Sequence, residues 1–518
     1  MNITPFRRRS IIRSMSAATG SAALMSFNGV AEMPIPSFTK QDPGSKPNIV
    51  LMVADDIGLQ LGAYGDEQAR TPYLDQFAGE NVLFRNAFVT SPTCSPSRAS
   101  ILTGIYAHQS GQVGLSHVGF EMNDMHDSIP ARLKDAGYYT GLLGKIHVKP
   151  HEAFDFDFKF GGFDYDVDGR RTRHVGEPVP IIDARWNELE EEEIPVMQVP
   201  DEVSAHTARF LDEAGDRPFF LMVNFTDPHP PYRHQVAGVP EDPKRPRDVE
   251  QLDFVPPWEP FHPNAVAGYY NGCTRLDYLF ERVMQELRGR DLDGNSIIIF
   301  MSDHGPNFGN RGKGTLYEAG LQTPMIASFP GLNGPAEVNE LVSAIDLFPT
   351  ALDAAGLRGG TDLPGQSLLR LFTGQWEARD AVFGEANYHV RETFMPIRSI
   401  REKRYKLIHH AFAPMYADML DQWGLLGELD DDAHWHNRNY HAYAQRSEFE
   451  LYDLENDPHE LHNLADDPAY AETGERLYRR LQAWQTQSGD FLLEGRQLQE
   501  KKEEGAVLLK QVFDMENQ

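Results

Sequence analysis

Apolar runs of strand length recur along the chain, and each stops abruptly at charged or imidazole side chains. Residues 48–54 (NIVLMVA) end in Asp55-Asp56, and residues 137–143 precede Gly144-Lys145-Ile146-His147. Residues 218–225 lead to Asp227-Pro228-His229, and residues 296–301 lead to Ser302-Asp303-His304-Gly305. Continuous apolar runs suit parallel strands covered on both faces. Stretches at 71–77, 203–213, 275–288 and 337–356 predict helices between and after them. This alternation predicts an α/β fold with a mostly parallel sheet sandwiched by helices. Ligands bind beyond the carboxyl ends of such strands, so the four endings are predicted to share one rim.

Elsewhere the pattern changes. Residues 82–87 read as a strand leading into a loop, and 228–263 reads as a proline-rich, charged loop. Periodicity fades between 154 and 200, where 188–193 holds five glutamates in six positions. That segment reads as a solvated acidic insertion, with a substrate-facing lid as the alternative. Gly359-Gly360 and Pro364-Gly365 mark a boundary, and beyond about residue 375 short strands (381–384, 395–400, 405–408, 450–454) precede a helix at 470–487. The expected organisation is a catalytic domain over 47–370 and a smaller C-terminal α+β domain over 375–518.

Length and charge narrow the function. A chain of 518 residues exceeds one ordinary core. Its net charge of −29 argues against nucleic acid or an anionic membrane as partner. Arg7-Arg8-Arg9-Ser10-Ile11-Ile12-Arg13, then a weakly apolar stretch and Gly29-Val30-Ala31, read as a twin-arginine signal over 1–31. Export to the periplasm or beyond is expected. No other long apolar run occurs, so no membrane span is expected. Cys94 and Cys273 are the only cysteines.

Cys94 opens the richest stretch, 90–104 (TSPTCSPSRASILTG). Pro96 suits a first helical turn, Ser95 suits a cap, and Gly104 suits a helix end. Cys94 then lies at a helix start, where free N–H groups favour an anion, and Arg98 adds a bidentate cation. Asp55, Asp56 and Asp303 are candidate oxygen ligands for calcium or magnesium, with His304 as a fourth. Arg98, Lys145 and Lys313 are candidates to hold a transferred oxyanion, and His147 and His229 are candidate acid and base.

These motifs, in their order, resemble those of type I sulfatases. The resemblance rests on Val53-Ala54-Asp55-Asp56, Cys94-Ser95-Pro96-Ser97-Arg98 with Leu102-Thr103-Gly104, Gly144-Lys145-Ile146-His147 and Ser302-Asp303-His304-Gly305. Gly312-Lys313-Gly314-Thr315-Leu316-Tyr317-Glu318 and Leu451-Tyr452-Asp453-Leu454, with Asn456-Asp457-Pro458 and Asn463-Leu464, extend it. Phe84-Arg85-Asn86-Ala87-Phe88, Ser95-Pro96-Ser97-Arg98-Ala99-Ser100 with His108-Gln109, Asp227-Pro228-His229 and the run from Val382-Phe383-Gly384 to Pro396-Ile397-Arg398-Ser399 look closest to the sulfamidase branch, the heparan N-sulfatases.

The resemblance implies an alkaline-phosphatase-like fold and removal of sulfate from a sulfated carbohydrate. It implies that a formylglycine-generating enzyme converts Cys94 to formylglycine (3-oxoalanine). The hydrate of this residue attacks sulfur beside calcium, with magnesium as the alternative ion, held by Asp55, Asp56, Cys94, Asp303 and His304. Arg98, Lys145 and Lys313 hold sulfate, His229 with Lys313 assists the leaving atom, and His147 takes a proton to expel sulfate. His304 stands where many members place asparagine. Arg311, Asp227, Glu385, His389 and Arg398 are candidate sugar or sulfate contacts, with interface hydrogen bonding as the other reading of the C-terminal three. Two competing functions are a phosphonate monoester or phosphodiester hydrolase of the same superfamily and a catalytically silent sugar-binding relative.

Overall fold

The apolar run after Pro47 forms β1 (Asn48–Asp55), buried along its whole length at the centre of an eight-stranded sheet. The computed structural model describes residues 46–161, 167–171, 181–183, 187–189, 193–332, 334–358, 363–389, 393–423, 440, 442–493 and 495–516. The signal-like segment 1–31 and residues 190–192 of the acidic insertion lie outside them.

In chain order the sheet is built from β1, β2 (Val82–Phe84), β3 (Tyr139–Gly144), β4 (Phe158–Phe160), β5 (Phe219–Pro228), β6 (Ser296–Ser302), β7 (Met325–Ser328) and β8 (Ala336–Val338). Their order across the sheet is β8-β2-β7-β6-β1-β5-β3-β4. Only β7 runs antiparallel to its neighbours, so the sheet is mostly parallel, as expected. Leu51 and Val53 of β1 join one apolar cluster with Ala99, Ile101 and Leu102 of helix α2 (Cys94–Thr103). Val50 and Met52 join the other, with α1 (Pro72–Glu80), α3 (Pro200–Ala214) and α4 (Pro263–Arg288). Both sheet faces are covered, which is why the strand reads as continuously apolar rather than alternating.

A second, antiparallel sheet of β9 (Ala381–Tyr388), β10 (Phe394–Glu402), β11 (Tyr405–His410) and β12 (Phe449–Asp453) follows. Helix α6 (Ala471–Ser488) lays Leu477, Leu481 and Trp484 on Ile400, Leu407 and Leu451. Phe394 and Tyr416 belong to the same apolar cluster as Val53 and Phe84, so the second sheet shares a core with the first.

Three expected elements change. The helix expected over 337–356 is confined to α5 (Leu347–Ala354), because Ala336 and Val338 are buried in strand β8 with Glu337 facing out to Arg85. The strand expected over 82–87 breaks after Phe84 and resumes at Ala87–Phe88. The helix expected from Arg275 begins at Pro263, which occupies the first helical turn.

Candidate active site

Four parallel strands deliver their carboxyl ends to one rim. Asp55 ends β1 beside Pro228 of β5, and Asp303 and His304 follow β6. Lys145 and His147 follow β3, which ends at Gly144 in the left-handed region, with φ +89°. Two non-glycine residues on the rim, Asp56 (φ 67°) and His147 (φ 56°), also adopt left-handed backbone. Such conformations concentrate where the surroundings over-determine a functional geometry.

Cys94 is the first residue of α2, and Arg98, four residues on, shares its face. The expected Ser95 cap is absent: Thr93 is the N-cap residue, and the Ser95 hydroxyl accepts the Ser116 amide at 3.0 Å instead. Asp55, Asp56, Cys94 and His304 each offer one ligand atom, all within 4.8 Å of one another, and all four residues are buried. The imidazole of His304 donates from Nδ1 to the Gly305 carbonyl at 2.9 Å, turning Nε2 towards Cys94 Sγ (3.2 Å) and Asp56 Oδ1 (3.4 Å). Asp303 Oδ1 lies 3.8 Å from the same Nε2, while Oδ2 accepts from Arg98 Nε at 2.9 Å.

Three cations face these carboxylates. Lys145 Nζ is 2.8 Å from Asp55 Oδ2, and Arg98 Nη2 is 3.7 Å from the same oxygen. Lys313 Nζ bonds Asp56 at 2.8 and 3.0 Å. Burial alone would raise Asp55, but Lys145, His229, Arg98 and Lys313 outweigh it and hold the carboxyl well below its ordinary range. In Asp56 burial wins, aided by Asp55 and Asp303, and its carboxyl is pushed up despite Lys313 and His304. Burial opposes a charge on His304, yet Asp303, Cys94 and Asp56 bring it up to about 9. Buried carboxylates converging on one imidazole form an oxygen-rich set suited to a hard divalent cation. The residues present fit such an ion.

Two more histidines sit here in neutral form. Burial and then Lys313 lower His229, whose Nδ1 donates to the Pro230 carbonyl. Burial, Lys145 and Arg98 lower His147, whose Nε2 lies 2.8 Å from Nδ1 of His117. His389 is drawn down to about 3 by burial and by Lys313, His304 and His117, and its Nδ1 has no hydrogen-bond partner among the described residues.

The other sugar candidates hold different partners. Asp227 is clamped by Arg275, whose Nε is 2.7 Å away, and by Gln198 at 2.8 Å. Glu385 pairs with His108 at 3.1 Å, and Arg398 pairs with Asp490 at 2.7 and 2.9 Å. These three side chains are buried, and their charges are matched within the protein. Arg311 donates to the Glu460 carbonyl and lies 4.4 Å over the Tyr317 ring, lining a cleft of about 570 Å³ with Asp66, Phe254, Tyr270 and Glu318. The structure therefore unites Asp55, Asp56, Cys94, Arg98, Lys145, Asp303, His304 and Lys313, and sets Asp227, Glu385, Arg398 and Arg311 in supporting contacts. Sequence reasoning assigns no role to His117, an isolated histidine outside any strand ending, and His108 enters it only through the family resemblance, not as the partner of Glu385.

Comparison with known proteins bears on this geometry. The sulfatase family profile matches residues 47–357, and that of the N-sulphoglucosamine sulphohydrolase C-terminal region matches 307–441 and 436–487. Human N-sulphoglucosamine sulphohydrolase is 32% identical over 493 residues, covering 86% of this chain and 90% of its own. An ulvan-active sulfatase of Formosa agariphila is 30% identical, covering 87% and 82% respectively. Among solved structures, BT4656 in complex with its substrate D-glucosamine-2-N,6-O-disulfate aligns with TM-score 0.60 at 19% identity, over 86% of this chain and 99% of that one. The phosphonate monoester hydrolase of Agrobacterium radiobacter aligns at 0.65 with 21% identity, over 85% and 96%. At these identities the structural likeness shows the alkaline-phosphatase-like fold alone.

Proposed function

The chain belongs to the sulfatase family, hydrolases of sulfuric esters and sulfamates, and we propose that it desulfates a carbohydrate carrying an N- or O-sulfated glucosamine-type residue. The observation that carries this reading is Cys94 at a helix start, walled by Asp55, Asp56 and His304 and flanked by Arg98, Lys145 and Lys313. The human relative and the C-terminal profile both favour a glucosamine-type sugar over other sulfated glycans.

The family implies a formylglycine and a divalent metal. We assign the formylglycine to Cys94, made by a formylglycine-generating enzyme, and calcium, with magnesium as alternative, to Asp55, Asp56, Asp303, His304 and residue 94. Together these groups would supply an activated oxygen nucleophile and a second hydroxyl whose deprotonation releases sulfate. Arg98, Lys145 and Lys313 bind and orient the sulfate oxygens. Each is already held by an aspartate, so its donors are preorganised before charge moves to the leaving atom. His229, its Nδ1–H held by the Pro230 carbonyl, turns Nε2 towards the leaving oxygen or nitrogen and assists its departure together with the Lys313 ammonium. His147 accepts a proton at Nδ1, since its Nε2 is engaged by His117. His389, buried close enough to Lys313 and His304 to feel their charge and with its Nδ1 unmatched among the described residues, is assigned to the sugar. We further assign 1–31 to export towards the periplasm; no helix among the described residues is long and apolar enough to cross a membrane.

Protein from its native host tests the reading directly. A peptide mass over Cys94 should show the aldehyde, and sulfate release from N- or O-sulfated glucosamine should disappear on chelation and return with calcium. An unmodified thiol, parental activity in Cys94→Ser, or aryl phosphonate turnover far above that of any sulfate would overturn it.

A further inference from the structure

His147 is 4% exposed, and its ring meets that of a second, exposed histidine. Its Nε2 lies 2.8 Å from Nδ1 of His117, and the two rings are nearly parallel, with centroids 5.1 Å apart and planes 11° from each other. His117 is an exposed residue in a short 3-10 turn, Ser116–Val118. The segment that carries this turn, from Gln112 to Met122, is tied down at three points. Ser116 N donates to Ser95 Oγ at 3.0 Å, next to Cys94. Gln112 Oε1 accepts Lys149 N at 3.2 Å, and Met122 N donates to Lys149 O at 2.8 Å, two residues past His147. The backbone of His147 is itself left-handed. Nothing in the packing of an exposed loop histidine requires so close a ring-to-ring contact.

We propose that His117 is the positioning and proton-exchange partner of His147, linking its buried Nε2 to bulk water. The inference rests on the assignment of His147 as the base that takes a proton at Nδ1. A proton held there would be enclosed with Lys145 and Arg98, with Asp55 as the compensating anion, so it needs a way out. As Nδ1 of His147 gains a proton, its Nε2–H passes to Nδ1 of His117, and the Nε2–H of His117 passes to water. One proton enters the pair and one leaves. When water later adds across the regenerated aldehyde, Nδ1 of His147 returns a proton to the aldehyde oxygen. His117 then returns one to Nε2 of His147 and draws one from bulk water, which receives the proton shed by the adding water. Both rings are back in their starting tautomers. His117 also fixes which nitrogen of His147 faces inward, because a ring flip would forfeit the contact.

The test uses the mature, metal-loaded enzyme and the variants His117→Ala and His117→Gln. Their thermal midpoints should match the parent, since the site is exposed. Expected for His117→Ala is a kcat lowered roughly 10- to 100-fold, with KM nearly constant, and dose-dependent recovery on adding imidazole. His117→Gln keeps a hydrogen-bonding side chain but cannot relay a proton, so it should remain slow. Nitrogen-15 histidine spectra give a readout apart from turnover: in the parent the two rings should titrate as a coupled pair, and in His117→Ala His147 should titrate alone. Parental kcat in His117→Ala, or recovery in His117→Gln with no response of His117→Ala to imidazole, would overturn the proposal. Failure of the underlying reading looks different. It appears as a parent that releases no sulfate, or as His147→Ala with undiminished kcat.

Discussion

Gly144 closes β3 with φ +89°, and a Cβ placed there would come within 2.2 Å of the Asn224 carbonyl oxygen on the neighbouring strand. Any side chain would have to push apart the strands that aim Lys145 and His147. Gly144→Ala should therefore cost about 1–3 kcal/mol in left-handed strain and displacement, and kcat should drop as Lys145 leaves its 2.8 Å contact with Asp55. Thermal melting with steady-state kinetics checks this; an unchanged kcat would show that the strand end tolerates movement. At this scale the sequence is most informative where an apolar run meets a charge, as at Asp55, Lys145 and His304. It is least informative for isolated polar residues. Asp227 and Arg398 carry no local sign that Arg275 and Asp490, 48 and 92 residues away, will neutralise them. The role of His117 is equally hidden, because it is created by a contact across 30 residues.

The C-terminal sheet is held to the catalytic region by buried charge, which gives that element its own pH response. Glu450 on β12 accepts from the Tyr317 hydroxyl at 2.6 Å and the Tyr452 hydroxyl at 2.9 Å, with His410 Nε2 3.2 Å away. Burial would raise its carboxyl, but His410, Arg446 and Tyr317 bring it down to about 2. Asp490 is likewise brought to about 2 against its burial, by Arg398 and then His108. Both values fall below the ordinary carboxylate range of the unfolded chain, so folding releases protons from these groups in acid. Their stabilisation is complete above about pH 4.5 and is lost as pH falls towards 2, on the order of 3 kcal/mol each. Glu450→Gln and Asp490→Asn should thus be less stable than the parent at pH 7 and converge with it near pH 2. Denaturant midpoints across that range measure the effect, and a constant gap would contradict it. The strands here are legible in the sequence as short fragments. Helix α4 is only half legible, because its first turns pass beneath the 228–232 segment. Gly268 and Gly272 meet Tyr232 and Pro228 there, where a Cβ on either glycine would come within 2.8 Å of its neighbour, and those glycines erase the helical signature.

For the whole molecule, charge sets how a polyanion reaches the rim. The chain carries −29, yet the site must receive sulfate. At the site Asp55, Asp56 and Asp303 are matched by Arg98, Lys145 and Lys313, so the protein side chains contribute almost no net field of their own. An approaching sulfated oligosaccharide therefore feels the repulsion of the distant surface first and the attraction of a bound cation only within a few ångströms. Salt screens the first more than the second, because the Debye length shrinks from ~30 Å at 0.01 M to ~8 Å at 0.15 M. The value of kcat/KM for a multiply sulfated oligosaccharide should rise over that interval, and that of a singly charged aryl sulfate should rise less, since the repulsion scales with substrate charge. The measurement is initial rate against ionic strength at fixed calcium. A fall with added salt would mean that a positive field extends beyond the rim, placing cationic side chains along the sugar's path as well as around sulfur.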